Sequence, residues 1–331
     1  MSGTPDMFTH MGGVPVGGAS GYAGWWGNDT WFVDYKNGTR GVCAVNGAGN
    51  KMSAPTKDLA DALSIAASGD TIFVRPHTDP HVHGRDPREI TPYSTTALNW
   101  TIPYAKHHIS IIGTGKLSKG GLAAETLLRG HRGAVTPTLR IAGAYATVEN
   151  LCFKYNLPVT AQNNACIEID NLTETTDAGY AATINNCTFR EYSYASNGHG
   201  AIVIESSRWN AVLNCTFYDA WTGIWLGSSK NTVIGFVAEG NTFIADASDV
   251  GNDIRIPDAQ HMDINGNSFQ HAQPSAGAPN LYIYCAGTAT GVVRNNEFAL
   301  DEANIDTLCG ISNMSDIANR SASDTVWCTN T

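Results

Sequence analysis

The chain has 331 residues, and 20 Lys+Arg against 30 Asp+Glu give it a formal charge of −10 with only 15% charged residues. Ordinary globular domains carry roughly 25%. Apolar residues reach 42%, with 34 Gly, 8 Trp, 12 Tyr and 10 Phe, which supplies a large core and excludes a disordered chain. An acidic chain without a Lys/Arg run lacks the electrostatic footprint of a nucleic-acid or membrane-surface binder, and no stretch reaches the ~18 apolar residues that span a bilayer. Neither nucleic acid nor membrane is expected as a partner.

Residues 1–30 are Gly-rich and have neither the basic n-region nor the apolar h-region of a secretory signal peptide, so none is expected. Met7, Phe8, Met11, Tyr22, Trp25 and Trp26 are spaced through this segment, and large aromatics are favoured interface anchors. The segment reads as an arm lying on a partner protein. The other reading is that Trp25 and Trp26 cover the coil that follows. Helical periodicity stands out over Lys57 to Ser68, where Leu59, Ala62, Leu63 and Ala66 share a face and Ser68-Gly69 ends the run. The strand Thr71 to Arg75 follows and stops at Pro76.

His77-Thr-Asp-Pro-His81-Val-His83 comes next. The His-x-His spacing in an extended strand sends both imidazoles to one side, as a transition-metal site requires. Pro76, Pro80 and Pro87 mark a loop, and no second distant ligand pair is visible in the sequence. A polar loop at a trimer or particle interface is the favoured reading, and no cofactor is expected.

From Val148 onward one short pattern returns: Val148 to Phe153, Ile184 to Phe189, Val212 to Phe217, Ala238 to Phe243, Ile264 to Phe269 and Val293 to Phe298, with Phe-to-Phe steps of 36, 28, 26, 26 and 29. Each copy runs from an apolar residue through Asn or Gly to an aromatic, which reads as strand, bend, strand, since Asn and Gly tolerate a left-handed bend. Second strands lie between the copies, such as Ala165 to Ile169, Ala201 to Ile204 and Gly223 to Leu226, with period-two alternation. Stacking such coils about 4.8 Å apart places Phe over Phe and Cys187 over Cys215. The fold class is all-β, a parallel β-helix solenoid in which insertions go into turns. The helix near residue 60 covers its open end. The eight cysteines contain no CxxC pair and are expected to be mostly free, buried thiols.

Trp31 to Asp34, Asn37-Gly38, the helix Leu59 to Ala67, and Ser68-Gly-Asp-Thr-Ile-Phe-Val74 resemble the opening of pectin-lyase-like β-helices, and Ile109 to Gly115 resembles the next coil. The resemblance implies a single-stranded, right-handed solenoid over residues 31–300, with residues 301–331 as a C-terminal cap or tail. His10 to Gly18 and Gly24-Trp-Trp-Gly27 are similar to virion-associated proteins of tailed phages. This second resemblance implies a homotrimer in the virion, made in the host cytoplasm, whose partners are the major capsid protein or another virion protein and, as an alternative, a host glycan.

Three sets of residues bear on chemistry. Glu191 and Asp219 each lie two positions after a repeated Phe, so adjacent coils stack them, and carboxylates about 5 Å apart suit a retaining glycoside hydrolase. Glu205, Arg208 and Trp209 bring an acid, a base and an aromatic together, against the alternative of a surface ion pair and a packed Trp. Asp246, Asp249, Asp253, Asp258 and Asp263 lack calcium-loop spacing and read as a solvated acidic face. No nucleotide, serine-nucleophile or zinc motif is present. The sequence therefore favours a non-enzymatic capsid decoration or cement protein, attached through its arm. The alternatives are a tail spike or fibre that binds or depolymerises host surface polysaccharide, in the latter case as a lyase or glycoside hydrolase through Glu191, Asp219, Glu205 and Arg208, and a glycan-binding adhesin that uses Trp209, Trp221 and Trp225.

Overall fold

Asn or Gly between two short apolar strands is what turns this chain into a coil. In the computed structural model the bend residues Asn150, Asn186, Asn214 and Asn295 have φ of 55°, 49°, 52° and 54°, and Gly240 and Gly266 have 65° and 62°. These are the left-handed conformations that Asn and Gly adopt most readily. The structure describes residues 29–39, 53–76, 100–115, 125–129, 137–154, 165–170, 179–190, 200–218, 220, 222–227, 232–245, 252–271, 282–285 and 289–299, with strand backbones at 10–11, 14–15, 89–90, 309–310, 314–317, 319–321 and 326–327.

One coil shows the plan. Thr183–Asn185 lies in the first sheet, Asn186 bends the chain, Thr188–Arg190 lies in the second sheet and Ile202–Ile204 in the third. A short turn then returns to the first sheet at Ala211–Leu213. Repetition builds two ten-stranded sheets and one eight-stranded sheet. The pairings within them are parallel until an antiparallel pair, Asn319–Ser321 with Val326–Trp327, ends the second sheet. Strands at Cys309–Gly310 and Met314–Ile317 continue the sheets past residue 300. The molecule is a parallel β-helix, as the repeat predicts.

The inside of the coil is layered. Phe153, Phe189, Phe217, Phe243, Phe269 and Phe298 form a buried stack with successive ring centroids 5.3, 4.9, 4.7, 4.9 and 4.8 Å apart and near-parallel planes. Beside it, the residue after each bend points inward, and along the solenoid this position reads Leu151, Cys187, Cys215, Asn241, Asn267, Asn296. Cys187 does lie over Cys215. The three asparagines form a buried ladder: Asn267 Oδ1 accepts from the Asn241 backbone and side-chain N–H groups, and Asn267 Nδ2 donates to the Ala238 carbonyl and to Asn296 Oδ1. Every bend in this part of the core thus satisfies its polar groups without water. The described thiols of Cys152, Cys166, Cys187, Cys215 and Cys285 are free and buried. Burial pushes Cys285 up to about 12 and raises Cys166 and Cys187 as well, so these three thiols are poor nucleophiles.

The N-terminal end is closed by α1 (Leu59–Ile65), shorter than the Lys57 to Ser68 periodicity suggests. Asp58 is the N-cap, accepting from Ala60 N–H, which leaves Lys57 outside. At the other end Asp70 accepts from Ala67 N–H and draws the chain out of the helix. Leu59, Ala62 and Leu63 are buried over the first coils, and each cap carboxylate also takes an indole N–H: Trp100 to Asp58 at 2.9 Å and Trp31 to Asp70 at 2.8 Å. Asp34 is held below the ordinary aspartate range. Burial pulls it up, but the Asn37 backbone and side-chain N–H groups, Arg75 and the Lys36 N–H together outweigh that.

Asn267→Ala removes the acceptor of the Asn241 backbone N–H and the donor to the Ala238 carbonyl at once, while Asn241 Nδ2 keeps the Val212 carbonyl and Asn296 Oδ1 keeps the backbone N–H of residue 267. Each buried polar group left unsatisfied costs about 1–3 kcal/mol, so the variant should lose at least about 2 kcal/mol of unfolding free energy in urea. Asn265→Ala, one position before the bend and facing outward, should change it by less than about 0.5 kcal/mol.

Candidate functional site

The outward positions of the third sheet combine charge and aromatic surface. Its three-residue strands bury their two end residues, and the parallel register lines the middle residues up: Thr101, Arg140, Glu168, Val203, Trp225, Arg255 and Tyr284, all partly exposed except Val203, which is buried. Arg140 Nη2 meets Glu168 Oε2 at 2.7 Å, and both side chains are mostly buried. Further along, the Arg255 guanidinium lies 4.2 Å from the Trp225 ring centroid and 5.7 Å from that of Tyr284, so it is sandwiched in cation–π contact. The Trp225 indole N–H donates to the Gly227 carbonyl at 2.8 Å, which fixes the ring.

The residue that ends each third-sheet strand adds to this row. Asp170 follows Ile169 and Glu205 follows Ile204, and Ile169 pairs with Ile204, so the two acids stack. Carboxylate oxygens of Glu168, Asp170 and Glu205 all lie within 4.8 Å of one another. Asp170 and Glu205 are buried. Glu168 titrates above its ordinary value: burial is the main cause, Arg140 opposes it, and the Asp170 and Glu205 charges add to it. Carboxylates gathered beside the Arg140 guanidinium can hold and pass on a proton, or can offer hard oxygen ligands to a cation.

Glu205 is thus the residue of the sequence prediction that the structure places in a chemical group, with companions from the coil before it. Arg208 and Trp209 are exposed at the far end of the same turn. Trp225 is half-buried in the Arg255 contact, and Trp221 lies outside the described residues. Glu191 and Asp219 also lie outside them, although the residues just before, Arg190 and Tyr218, are in register, with Arg190 5.2 Å from the Tyr218 ring centroid and paired to Glu125 at 3.0 Å. His77, His81 and His83 lie outside, as do the side chains of Met7, Phe8, Met11, Tyr22, Trp25 and Trp26.

The acidic face expected around residues 246–263 is corrected for the residues described. Asp253 is buried, Asp258 accepts from Thr232, and Asp263 is held bidentately by Arg294, because the coil distributes the three among different turns and strands. Glu168 and Asp170 escape sequence reading. The signal was there in Ile167-Glu-Ile-Asp170 beside Ile202-Val-Ile-Glu205, but it becomes visible only once the two strands are set in register.

A closed parallel solenoid with a capping helix, an asparagine ladder and a charged, aromatic outer row is a pectin-lyase-like β-helix. More narrowly, residues 136–321, over half of the chain, match the family described as "Periplasmic copper-binding protein (NosD)", and the chain belongs to that family. No curated protein sequence matches it. Among solved structures, the lacto-N-biosidase of family GH136 from Eubacterium ramulus is similar with a TM-score of 0.56 and 13% identity, over 91% of this chain and 57% of that one. The chain therefore spans little more than half the length of that enzyme. Pectate lyase Pel9A gives a TM-score of 0.47 at 16% identity over 92% of this chain and 79% of its own, and the ORF18 protein of Geobacillus virus E2 gives 0.37 at 11% over 79% and 57%. At these identities the likeness is one of fold.

Glu168 gives the carboxylate group a pH signature. A folded-state pKa above the unfolded one contributes stability that is fully present below the unfolded value and is lost as pH rises through the folded value. Urea midpoints should therefore decline as pH rises from the ordinary glutamate range towards neutrality. Glu168→Gln should flatten that decline, and an unchanged slope in the variant would place the titration elsewhere.

Proposed function

We propose that the protein is a virion-borne β-helix of the tail-spike or fibre kind that engages a host surface polysaccharide across the outer face of its third sheet. The observation that carries this reading is the outer row itself, in which Arg140 and Glu168, then after the buried Val203 the run Trp225, Arg255 and Tyr284, stand in register. Fixed charged groups suit the hydroxyls of a sugar, and rigid rings suit its apolar faces. The virion assignment follows the resemblance of the N-terminal segments.

A second reading, cleavage, is favoured by the carboxylate group. A separation of about 5 Å between two carboxyl groups belongs to retaining glycoside hydrolysis, where one acid protonates the leaving oxygen and the other attacks the anomeric carbon. Glu168, with its raised affinity for a proton, suits the first role, and Glu205 or Asp170 the second. Copper, named in the family's description, finds a poor fit in this group. Copper favours imidazole, thiolate and thioether donors, whereas the one cluster of three metal-ligating side chains among the described residues is entirely carboxylate, and the described thiols are sealed in the core.

The test is a panel of dextran, alginate, polygalacturonate and purified bacterial lipopolysaccharides, scored for bound protein and for new reducing ends. The protein should bind at least one member, and Trp225→Ala should weaken that binding about tenfold, or 1.4 kcal/mol. Glu205→Gln should leave binding intact and abolish any release of reducing ends. Binding to none of the panel would overturn the reading.

Capsid decoration through the arm is a proposal of its own, resting on residues outside the described ones. Deleting residues 1–28 should leave the β-helix folded and abolish incorporation into particles, and normal occupancy by the truncated protein would defeat it.

A further inference from the structure

The turn that carries each coil from the third sheet back to the first contains a second column of left-handed residues. Two positions before six successive first-sheet strands, φ is 93° at Gly69, 56° at His108, 55° at Tyr145, 53° at Ala181, 59° at Trp209 and 68° at Gly235, and it is 56° at His261, just before Met262–Asn265, which starts one residue earlier in register. The column is continuous, because these N–H groups donate from coil to coil: Tyr145 to the Tyr180 carbonyl at 2.6 Å, Ala181 to that of Arg208 at 2.8 Å and Trp209 to that of Ile234 at 2.8 Å. A left-handed backbone is strained for any L-residue, and a bulky side chain there is an outlier. Glycine meets the slot without strain at 69 and 235. At 145 and 209 the chain carries Tyr and Trp instead.

Burial does not repay that strain in full. Tyr145 is 47% exposed and Trp209 55% exposed, and Tyr104, in the same turn two first-sheet strands earlier than the one containing Ala181, is 50% exposed. Among the described residues these three are the large hydrophobic side chains that stand exposed, and all lie along this one corner of the solenoid. Their orientations are set. His108 stacks flat on Tyr145 with centroids 4.6 Å apart and planes 2° from parallel, and Tyr180 meets Tyr145 edge-on at 5.3 Å. The Trp209 indole lies over Gly235, where a Cβ would strike the ring. Tyr145 and Trp209 are two coils apart, roughly 10 Å along the axis at about 4.8 Å per strand.

We infer that this corner is a platform for a linear polysaccharide running along the solenoid axis, with a sugar face against the Trp209 indole and the chain passing over the exposed side of Tyr145 that His108 and Tyr180 leave open. Strained backbone held at an exposed position points to function, and fixed aromatic rings give contact area at low conformational cost. A protein partner fits less well. A stable interface needs about 800 Å² per side around a contiguous apolar centre, whereas here the rings stand on a strip one turn wide, interrupted by Gly143, Ala144, Ala181 and Ser206. Glu205 and Trp209 are the two ends of one turn, so the corner adjoins the carboxylate group. The inference rests on the carbohydrate reading of the third-sheet face and extends that site around the corner.

Ala181 shows that alanine occupies this slot without loss of the coil, so Tyr145→Ala and Trp209→Ala should fold, with a melting temperature lowered by no more than the loss of the His108, Tyr180 and Gly235 contacts entails. The full chain, both variants, their double variant, Trp209→Phe and Trp225→Ala are titrated with the polysaccharide of the panel that the wild type binds, alongside measurement of mass in solution. Each alanine variant should weaken binding about tenfold, or 1.4 kcal/mol, Trp209→Phe should recover most of that loss, and ligand should quench an indole signal that Trp209→Phe lacks. Affinity unchanged in the corner variants but lost in Trp225→Ala would overturn the corner and leave the third-sheet reading standing. No wild-type binding to any polysaccharide would overturn both. A fall in mass on Tyr145→Ala or Trp209→Ala with sugar affinity unchanged would overturn the corner as a glycan site and make it a contact between copies of the chain.

Discussion

Everything in this molecule depends on coils keeping register, and the left-handed bend is what enforces it. A one-residue slip in a strand turns every side chain to the opposite face. Here the bend at Asn150, Asn186, Asn214, Gly240, Gly266 and Asn295 sits between two strands of fixed length. After Gly240, Gly266 and Asn295 the next residue is locked by the buried asparagine ladder, and after all six bends the next inward residue in the second sheet is a phenylalanine in the stack. Polar and aromatic columns therefore agree on the same register, and neither could shift without breaking the other.

Register converts sequence positions into columns, and columns make surfaces. The outer row of the third sheet exists because Arg140, Glu168, Trp225, Arg255 and Tyr284 occupy the same position in their strands, with the buried Val203 between Glu168 and Trp225. None of these pairs is close in sequence. Arg140 and Glu168 reach 2.7 Å only because one coil lies on the next. The same stacking sets three carboxylates side by side, an arrangement that burial and mutual repulsion make costly. Arg140 offsets part of that cost.

The two corners of the coil use one backbone conformation for different ends. At the bend between the first and second sheets the left-handed slot is filled by Asn and Gly and serves the core. At the turn before the first sheet the same conformation is filled by His, Tyr, Ala, Trp and Gly, and the aromatic members face outward. In the first case residue choice follows the backbone. In the second it runs against backbone preference, so a different demand shaped it.

The solenoid itself was legible in the sequence, because its signals are local: Asn or Gly at the bend, Phe three residues later, alternation in the strands, and an amphipathic run for the cap. The stacking of Phe on Phe and of Cys187 on Cys215 followed from those signals alone, since a periodic pattern with a known strand spacing needs no further information. The helix length did not follow, because Asp58 and Asp70 end it through contacts with Trp100 and Trp31 from other coils. Nor did the carboxylate group. Glu168 and Asp170 are separated from Glu205 by a connection whose length no pattern specifies, and the exposure of Tyr104, Tyr145 and Trp209 depends on which way each turn leaves the sheet. Local residue preference determined the repeat and the core; the juxtaposition of charges and rings was decided by the stacking of coils, because contacts between distant residues exist only once the chain has closed on itself.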